Sequence, residues 1–329
     1  MDDMGNVFSR IKGRGKKPPI VVSAHLDTVF PPGTDLTARR TGEKIYGPGI
    51  GDNSLGLAGL CGLFWAFSLN DNKLSTIADL DGDIWLVANI GEEGLGNLQG
   101  MKAVVDRFGS DPLAYIVLEG MALGQIYHRG LGVKRYRISV NTKGGHSWVD
   151  FGKASAIHEL ADIVVKFNAI PLPAAPRTTL NVGMITGGTS VNTIAANASC
   201  ELDLRSESSQ ELTNLSDRVL KLVEDGHRNS KQAVNMKAEL IGERPAGELA
   251  ENHPLVNICK QCYAANGIHA KLNVGSTDAN EPLSRGLPAI CVGLTTGGGS
   301  HSMAEYLDTK PVSLGLRTLV DLIQAIYRV

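Results

Sequence analysis

Short runs of apolar residues recur in the first and last parts of the chain, and they predict strands buried between layers of helices. Such strands are covered on both faces, so their sequences are continuous apolar runs rather than alternations. The four clearest runs span residues 20–24, 84–90, 115–118 and 289–294. Helices are predicted at 55–69, 101–108, 254–265 and 312–329. Strands alternating with helices predict an α/β domain with a mostly parallel sheet sandwiched by helices.

The middle of the chain has a different pattern, because apolar and charged residues alternate in its first strand, 133–141. Alternation is typical of a strand with one buried face. Further strands are predicted at 180–184, 200–204 and 234–241, with helices at 153–167 and 211–225. The resulting βαββαβ order predicts a compact antiparallel sheet with helices on one face. We therefore expect one domain formed by residues 1–130 and 242–329, and an inserted α+β domain formed by residues 131–241.

The composition gives no support for several classes of partner. The chain has 329 residues, a length that favours two domains, and 43% of them are hydrophobic. Its 32 Lys and Arg nearly balance its 34 Asp and Glu, whereas nucleic acids and membrane surfaces favour a basic excess. The longest apolar run, residues 55–67, is too short and too rich in glycine to span a bilayer. Because residues 1–10 also contain no apolar signal core, we expect a cytoplasmic protein with no nucleic-acid or membrane partner.

The five cysteines are an odd number, which argues against a disulfide framework. Cys259 and Cys262 form a C-x-x-C pair in the predicted helix 254–265, without a second pair that would complete a zinc site. We interpret them as two small residues on one helical face, with a redox or metal site as the alternative.

Polar residues that could bind metal ions lie where the predicted strands end. Ligands of open α/β sheets bind beyond the carboxyl ends of the strands, so these side chains are expected to meet. They are His25 and Asp27 in H-L-D, Asp52 in G-P-G-I-G-D-N, Glu92 and Glu93 after the second run, Glu119 after the third, and His301 in G-G-G-S-H-S. Each of them alone is more often a turn, cap or loop residue than a functional one. Their shared position is what indicates a site.

The charges of these residues suit two divalent cations. The carboxylates of Asp52, Glu93 and Glu119, together with a bridging hydroxide, supply four negative charges against the four positive charges of two ions. His25 and His301 supply neutral imidazole nitrogens, which are good zinc ligands. Three protein contacts per ion, with Asp52 shared, leave a position for water and substrate.

Four motifs, in the order S-A-H-L-D-T-V, G-P-G-I-G-D-N, G-E-E-G and G-S-H-S, resemble those of the M20 family of metallopeptidases. This family includes peptidase T, the glutamate carboxypeptidases, and the acetylornithine and succinyl-diaminopimelate deacylases. The resemblance runs from about Asp3 to the C-terminus. It implies a zinc-peptidase-like catalytic domain with an inserted lid and dimerisation domain. The implied activity is hydrolysis of a peptide or amide bond in a small peptide or an N-acyl amino acid, through a metal-bridging hydroxide.

The resemblance also implies roles for the catalytic-domain residues. His25 and Glu119 would bind one zinc ion, and Glu93 and His301 would bind the other. Asp52 would bridge the two ions. The same ligand set accepts cobalt or manganese, so the sequence leaves the native metal open.

Two further acidic residues are implied to act beside the metal ions. Asp27 would orient His25, as an outer partner of a ligand histidine commonly does. Glu92 would be the general base that takes a proton from water and passes it to the leaving amine.

The inserted domain is implied to supply substrate contacts and a homodimer interface. His146 in K-G-G-H-S matches the lid histidine, which in dimeric members reaches the active site of the partner and helps to stabilise the oxyanion. Asn192 in G-G-T-S-V-N and Arg205 in E-L-D-L-R match lid positions that hold the substrate. An arginine at such a position suits a substrate carboxylate.

Two alternatives stay open at this stage. Gly94, Gly96 and Gly100, followed by Glu119, approximate a dinucleotide-binding fingerprint, although the spacing departs from G-x-G-x-x-G. The second alternative is a non-catalytic or impaired binding protein with the same fold. Family members normally carry a longer helical segment before the first metal-binding strand, and many have a second Asp where this chain has Asn53.

Overall fold

The chain divides into two compact units, which a computed structural model describes over residues 1–68, 80–229 and 233–328. The first unit comprises Met1–Gly130 and Gly247–Val329, and the second is Leu131–Ala246. The second unit therefore ends a few residues beyond the expected 241. Its last strand continues through charged residues as far as Arg244, and the apolar pattern alone does not include these.

The first part of the first unit alternates strands and helices. A π-helical turn, Ile50–Ser54, leads directly into the first helix. The elements are β1 (Val7–Ile11), β2 (Ile20–His25), β3 (Arg39–Thr41), β4 (Lys44–Tyr46), α1 (Leu55–Ser68), β5 (Ile84–Asn89), α2 (Gln99–Phe108), β6 (Ala114–Leu118) and β7 (Gln125–Gly130). The predicted helix 55–69 matches α1 except for its last position, residue 69, which lies outside the described residues.

The second unit has long strands and two long helices. Its elements are β8 (Gly132–Asn141), β9 (Gly145–His146), α3 (Ala156–Asn168), β10 (Thr178–Gly187), β11 (Thr193–Ile194), β12 (Asn197–Ser206), α4 (Ser209–Asn229) and β13 (Asn235–Arg244). Apart from the short pair β9 and β11, these elements follow the predicted βαββαβ order.

The last part of the chain completes the first unit. Its elements are β14 (Gly247–Glu248), α5 (Pro254–Ala265), β15 (Lys271–Gly275), α6 (Asn280–Ser284), β16 (Ala289–Val292), β17 (Gly297–Gly298), β18 (Tyr306–Asp308) and α7 (Val312–Arg328). The predicted final helix, 312–329, matches α7, and residue 329 lies outside the described residues.

The large sheet of the first unit is mixed and mostly parallel, as predicted. Its strand order is β1-β5-β2-β6-β16-β7-β14, with β15 paired to β7. The four central strands, β5, β2, β6 and β16, are parallel to one another. They correspond to the four apolar runs of the sequence, and every residue of β2, β6 and β16 is buried. The outer strands β1, β7 and β15 have mixed or exposed burial patterns, so the apolar runs of the sequence do not include them.

Helix α1 packs closely because glycines recur along one of its faces. A Cβ atom at Gly59 would lie 2.5 Å from Leu294, and one at Gly62 would lie 2.9 Å from Leu316 of α7. The glycines at 56, 59 and 62 are spaced by three residues, so they form one stripe on the helix. The glycine-rich sequence therefore serves close packing inside the unit, where Leu60 and Leu63 of the same helix are buried.

The second unit is a four-stranded antiparallel sheet in the order β10-β12-β8-β13. Buried and less buried residues alternate along β12, and α3 and α4 pack against the sheet. The buried side chains of the sheet and the two helices form a core that is separate from that of the first unit. Strand β10 is an edge strand, and its Met184 and Ile185 are 59% and 61% exposed.

The C-x-x-C pair lies on the buried side of α5, where Cys259 and Cys262 are both free thiols. Burial raises the pKa of the Cys259 thiol, and the neighbouring Cys262 raises it further. Burial also raises the pKa of Cys262. Reactive cysteines need a lowered pKa, so this environment favours the interpretation of two small packing residues.

None of the helices in the described part of the chain combines the length and the apolarity that crossing a bilayer requires.

The stability of the second unit should depend strongly on Leu215 and weakly on Leu220, although both are leucines of α4. Leu215 is 3% exposed and Leu220 is 37% exposed. Replacing a buried leucine by alanine removes apolar burial and leaves a cavity, so Leu215→Ala should cost about 2–5 kcal/mol. The matched change Leu220→Ala should cost less than about 1 kcal/mol. Urea unfolding followed by circular dichroism measures the free energy of unfolding of both variants. Equal losses of stability would contradict the placement of Leu215 in the core.

Candidate metal centre

The predicted metal ligands meet at one edge of the large sheet because four adjacent parallel strands end there. His25 is the last residue of β2, Glu93 follows β5, Glu119 follows β6, and His301 lies between β17 and β18, beyond the end of β16. Neighbouring strands are about 4.8 Å apart, so residues at these ends are brought within reach of one another. Asp52 joins them from the π-helical turn before α1.

Asp52 lies between the two histidines, with one carboxylate oxygen directed to each. Its Oδ1 is 3.1 Å from Nε2 of His25, and its Oδ2 is 3.2 Å from Nε2 of His301. Each histidine also faces a glutamate. Nε2 of His301 is 3.2 Å from Oε1 of Glu93, and Nε2 of His25 is 3.8 Å from Oε2 of Glu119. The arrangement therefore consists of two N/O groups that share Asp52.

The spacing of these atoms fits ligands around metal ions. Zinc binds nitrogen and oxygen at about 2.0–2.1 Å in tetrahedral geometry, which places neighbouring ligand atoms about 3.3 Å apart. Ligand atoms of His25, Asp52 and Glu93 all lie within 4.8 Å of one another. Nε2 of His25 and Oε1 of Glu93 are buried, and neither makes a well-formed hydrogen bond to the described residues. Buried polar atoms normally have such a partner, so these two atoms are suited to face cations.

The local electrostatics also favour cations at this position. Burial by itself would lower the pKa of His25, but the Asp52 and Glu119 carboxylates raise it well above its ordinary value. Burial raises the pKa of Glu93, and the negative charge of Asp52 raises it further. For Asp52, burial raises the pKa, but His25 and His301 outweigh burial and lower it. The carboxylates thus hold a proton on an imidazole, at a position where a metal ion can replace that proton.

His25 is oriented by the main chain of Asp27 rather than by its side chain. Nδ1 of His25 lies 2.9 Å from the carbonyl oxygen of Asp27, whereas Oδ1 of Asp27 is 3.8 Å away. If Nδ1–H donates to this carbonyl, Nε2 is directed toward Asp52 and becomes unprotonated when a metal ion replaces its proton. This is the tautomer that a metal ligand requires.

The carboxylate of Asp27 instead holds the segment that carries the two glutamates. Its Oδ1 accepts the main-chain N–H of Glu92 at 3.2 Å, and its Oδ2 accepts that of Glu93 at 2.8 Å. Glu92 is 5% exposed. One carboxylate therefore fixes the main chain of both a candidate ligand and the candidate base.

The glycines that approximate a dinucleotide fingerprint allow a tight turn in the same segment. A Cβ atom at Gly96 would lie 2.5 Å from the carbonyl oxygen of Gly91, and one at Gly100 would lie 2.0 Å from that of Ile90. Such approaches exclude any side chain at these positions. Gly96 and Gly100 are thereby explained by close packing of the loop that presents Glu92 and Glu93.

Asn53 connects the turn of Asp52 to the end of β6. Its Nδ2 donates to the carbonyl oxygen of Leu118 at 2.7 Å, and its Oδ1 accepts the N–H groups of Gly56 and Gly120 at 3.1 Å. Leu118 and Gly120 flank Glu119, so the amide holds both sides of a candidate ligand. A carboxylate cannot donate to the Leu118 carbonyl, and the Asn at this position therefore has a physical basis that sequence reasoning missed.

A further buried acid lies near His25 and was also missed. Asp278 is fully buried, and its Oδ2 accepts Nδ2 of Asn89, the last residue of β5, at 2.7 Å. Burial raises the pKa of Asp278 to about 7, while the charge of His25 lowers it. The sequence S-T-D-A-N gave no signal for this position, because its burial depends on the tertiary fold.

The candidate substrate residues of the second unit fall into two places. His146 in β9 pairs with Thr193 in β11, and Ser147 donates its N–H to the carbonyl oxygen of Asn192 at 3.0 Å. His146 and Asn192 are therefore neighbours, and both are exposed. Arg205 lies in β12, where its Nε donates to Oδ2 of Asp203 at 2.6 Å.

Comparisons with known proteins match both units to peptidases. Residues 129–231 match the sequence model of the peptidase dimerisation domain of M20 proteins, and residues 6–126 match that of peptidase family M28. Carboxypeptidase G2 from Pseudomonas sp. (strain RS-16) is 26% identical over 337 residues, which is 96% of this chain and 77% of that protein. The chain spans about half the length of three further curated relatives, all fungal and two of them named as probable carboxypeptidases.

Solved structures share the fold over nearly the whole chain. The aminopeptidase PepT from Bacillus cereus gives a TM-score of 0.78 at 20% identity, covering 98% of this chain and 84% of that one. A dinuclear metal-binding peptidase of the M20 family from Bacillus subtilis gives a TM-score of 0.66 at 16% identity, covering 97% and 84%. Together, the dimerisation-domain match, the curated relatives and these shared folds support an M20 metallopeptidase.

Proposed function

We propose that this metallopeptidase holds two zinc ions and cleaves a peptide or amide bond in a small peptide or an N-acyl amino acid. The observation that carries the proposal is the position of Asp52, which directs one oxygen to His25 and the other to His301. His25 and Glu119 would hold one ion, and His301 and Glu93 would hold the other. When bound, such a pair of ions lowers the pKa of water and polarises the scissile carbonyl.

Zinc is proposed because the ligands include both imidazole and carboxylate groups. They are also few enough for the low coordination number of zinc. Two histidines and three carboxylates suit zinc, whereas calcium and magnesium prefer oxygen ligands alone. Cobalt and manganese accept the same set, so metal analysis of the purified protein decides among the three.

Glu92 is proposed as the general base. Its neighbour Glu93 faces His301, and both glutamates are fixed through their main-chain N–H groups by Asp27. A carboxylate held beside the ligands, but not itself a ligand, can take a proton from the attacking water and deliver it to the leaving nitrogen. The low exposure of Glu92, 5%, favours proton transfer within the site over exchange with bulk water.

His146 is proposed to stabilise the oxyanion, and its hydrogen bonds supply the required tautomer. Its Nδ1 accepts the main-chain N–H groups of Trp148 and Val149 at 3.2 Å and 3.4 Å. An Nδ1 that accepts must be unprotonated, so the proton of the neutral ring is on Nε2. His146 can therefore donate through Nε2 to a developing negative charge.

Asn192 and Arg205 are proposed to hold the substrate. Nε of Arg205 donates a hydrogen bond to the carboxylate of Asp203, and this bond fixes the plane of the guanidinium group. A guanidinium has five N–H donors in a fork that matches a carboxylate. Carboxypeptidase and aminopeptidase relatives both act on peptides by name, and a carboxylate is common to peptides and N-acyl amino acids.

We also propose that the chain forms a homodimer through the second unit, in which His146 acts on the site of the partner. Two features support an interface there. Strand β10 is an edge strand with exposed apolar residues, which favours pairing with another strand. The loop beside His146 exposes Trp148, Val149 and Phe151 at 85%, 77% and 90%. Apolar groups clustered in this way mark interaction surfaces.

The first test separates catalysis from metal binding. Glu92→Ala should keep two metal ions per chain but lose activity by at least the ~10²–10⁴-fold typical of general acid–base catalysis. Asp52→Ala should lose metal as well as activity. The measurements are metal content by mass spectrometry and hydrolysis of dipeptides, tripeptides and N-acyl amino acids. Two bound ions without turnover of any substrate by the unaltered chain would indicate a binding protein instead.

The second test concerns Arg205. Because an ammonium group cannot reproduce the two-pronged contact of a guanidinium, Arg205→Lys should raise KM for a good substrate. Amidation of the substrate carboxylate should weaken hydrolysis strongly in the unaltered enzyme and only slightly in Arg205→Ala. Equal losses in the two proteins would show that Arg205 binds some other group.

The third test asks whether His146 acts across the dimer. Glu92→Ala and His146→Ala should each be impaired, but in a mixed dimer one site combines Glu92 of one chain with His146 of the other. Mixing the two variants should therefore restore activity at one site in two. A protein that is monomeric at assay concentration, or mixed dimers that form without restoring activity, would rule out action in trans.

A further inference from the structure

Glu305 is a fully buried acid whose carboxylate accepts three main-chain N–H groups of the turn that carries Asp52. Its Oε1 accepts the N–H groups of Gly51 at 2.8 Å and of Asp52 at 2.9 Å, and its Oε2 accepts that of Gly49 at 3.1 Å. The side chain is 0% exposed. The protein therefore encloses a carboxylate beside the segment of the bridging ligand.

The bonding pattern requires a carboxylate rather than an amide. An ionised carboxylate only accepts hydrogen bonds and offers about four lone-pair positions, whereas an amide turns an NH₂ group toward one set of donors. If glutamine replaced Glu305, its NH₂ group would point at one or more of these main-chain N–H groups. A donor would then meet a donor, and no hydrogen bond could form. Hydrogen bonds from N–H groups to an ionised acceptor are among the stronger ones, and they offset part of the cost of burying the charge.

Glu305 also belongs to the loop that carries His301. The N–H of Glu305 donates to the carbonyl oxygen of Ser302, and its own carbonyl oxygen accepts the N–H of Gly47. Directly after Glu305, strand β18 pairs with β4, with Tyr306 opposite Tyr46. One residue thus ties the turn of Asp52 to the loop of His301 through both its main chain and its side chain.

We propose that Glu305 is a positioning residue that fixes Asp52 so that its two oxygens serve two metal ions at once. This inference rests on the proposed two-metal function. The shared ligand contributes to both ions, so loss of its support weakens both. Loss of a ligand such as Glu119, by contrast, removes a contact from one ion only. Glu305 would itself touch neither ion, and its effect would pass through the main chain of residues 49–52.

The experiment measures metal binding by the full chain rather than activity alone. Protein stripped with a chelator is titrated with Zn²⁺ by calorimetry, and with Mn²⁺ by electron paramagnetic resonance, where two adjacent ions give a spin-coupled signal. The unaltered chain should bind two ions. Glu305→Gln should bind both about 10–100-fold more weakly, the range found when an outer partner of a metal ligand is removed, and should lose the coupled Mn²⁺ signal.

A matched control shows whether the effect is specific. Glu281 is also buried, at 8% exposed, but its carboxylate pairs with Arg285. Glu281→Gln should lower the unfolding temperature and leave both metal affinities unchanged. If Glu305 only supported the fold, Glu305→Gln would behave in the same way as this control, and the proposal would be overturned.

The same measurements also cover a variant that does not fold and a chain that binds no pair of ions. If Glu305→Gln does not fold, Glu305→Asp replaces it, because it keeps the charge but withdraws the carboxylate by one methylene. The proposal then requires weakened binding of both ions by that variant. An unaltered chain that binds no pair of ions would overturn the proposed function together with this inference, whereas two tightly bound ions in both proteins would overturn the inference alone.

Discussion

The first unit must hold three mutually repelling carboxylates beside a buried imidazole. The rest of the unit depends on this constraint. Asp52, Glu93 and Glu119 converge on His25, which is 1% exposed. Like charges at such short distances are costly in a poorly solvated site, and the raised pKa of His25 and of Glu93 expresses that cost. Cations lower the cost, and they bind more tightly where the carboxylates are already held in place.

The molecule meets this constraint by holding the main chain next to the ligands with buried polar side chains. Asp27 binds the N–H groups at Glu92 and Glu93, and Asn53 binds the two residues that flank Glu119. Glu305 binds the turn of Asp52. In each case a side chain from one segment fixes the backbone of another. Because the main chain beside the ligands is already ordered, binding metal ions costs little main-chain conformational entropy.

Much of this arrangement could be predicted from sequence because its signals are local. The runs that form β2, β5, β6 and β16 are continuous and apolar, and the ligands follow directly where those strands end. The outer strands were missed because half-exposed strands such as β1 and β7 lack this pattern. Asn53, Asp278 and Glu305 were missed for another reason. Each acts on main-chain groups or side chains that are distant in sequence, and a polar residue in a loop does not reveal whether the fold will bury it.

The two units have different chemistry, and the proposed mechanism combines them through association of two chains. The first unit contains the acids and imidazoles that suit metal ions, and the second offers an imidazole whose Nε2 is the donor. The loop of His146 also exposes two large aromatic side chains, Trp148 and Phe151. Each aromatic residue can bury about 150–250 Å² of surface in an interface. In the proposed dimer, the same docking step would bury these rings and deliver His146 to the site of the partner. Binding energy from the apolar loop would thus be used to complete a site for the transition state, rather than to hold the substrate more tightly.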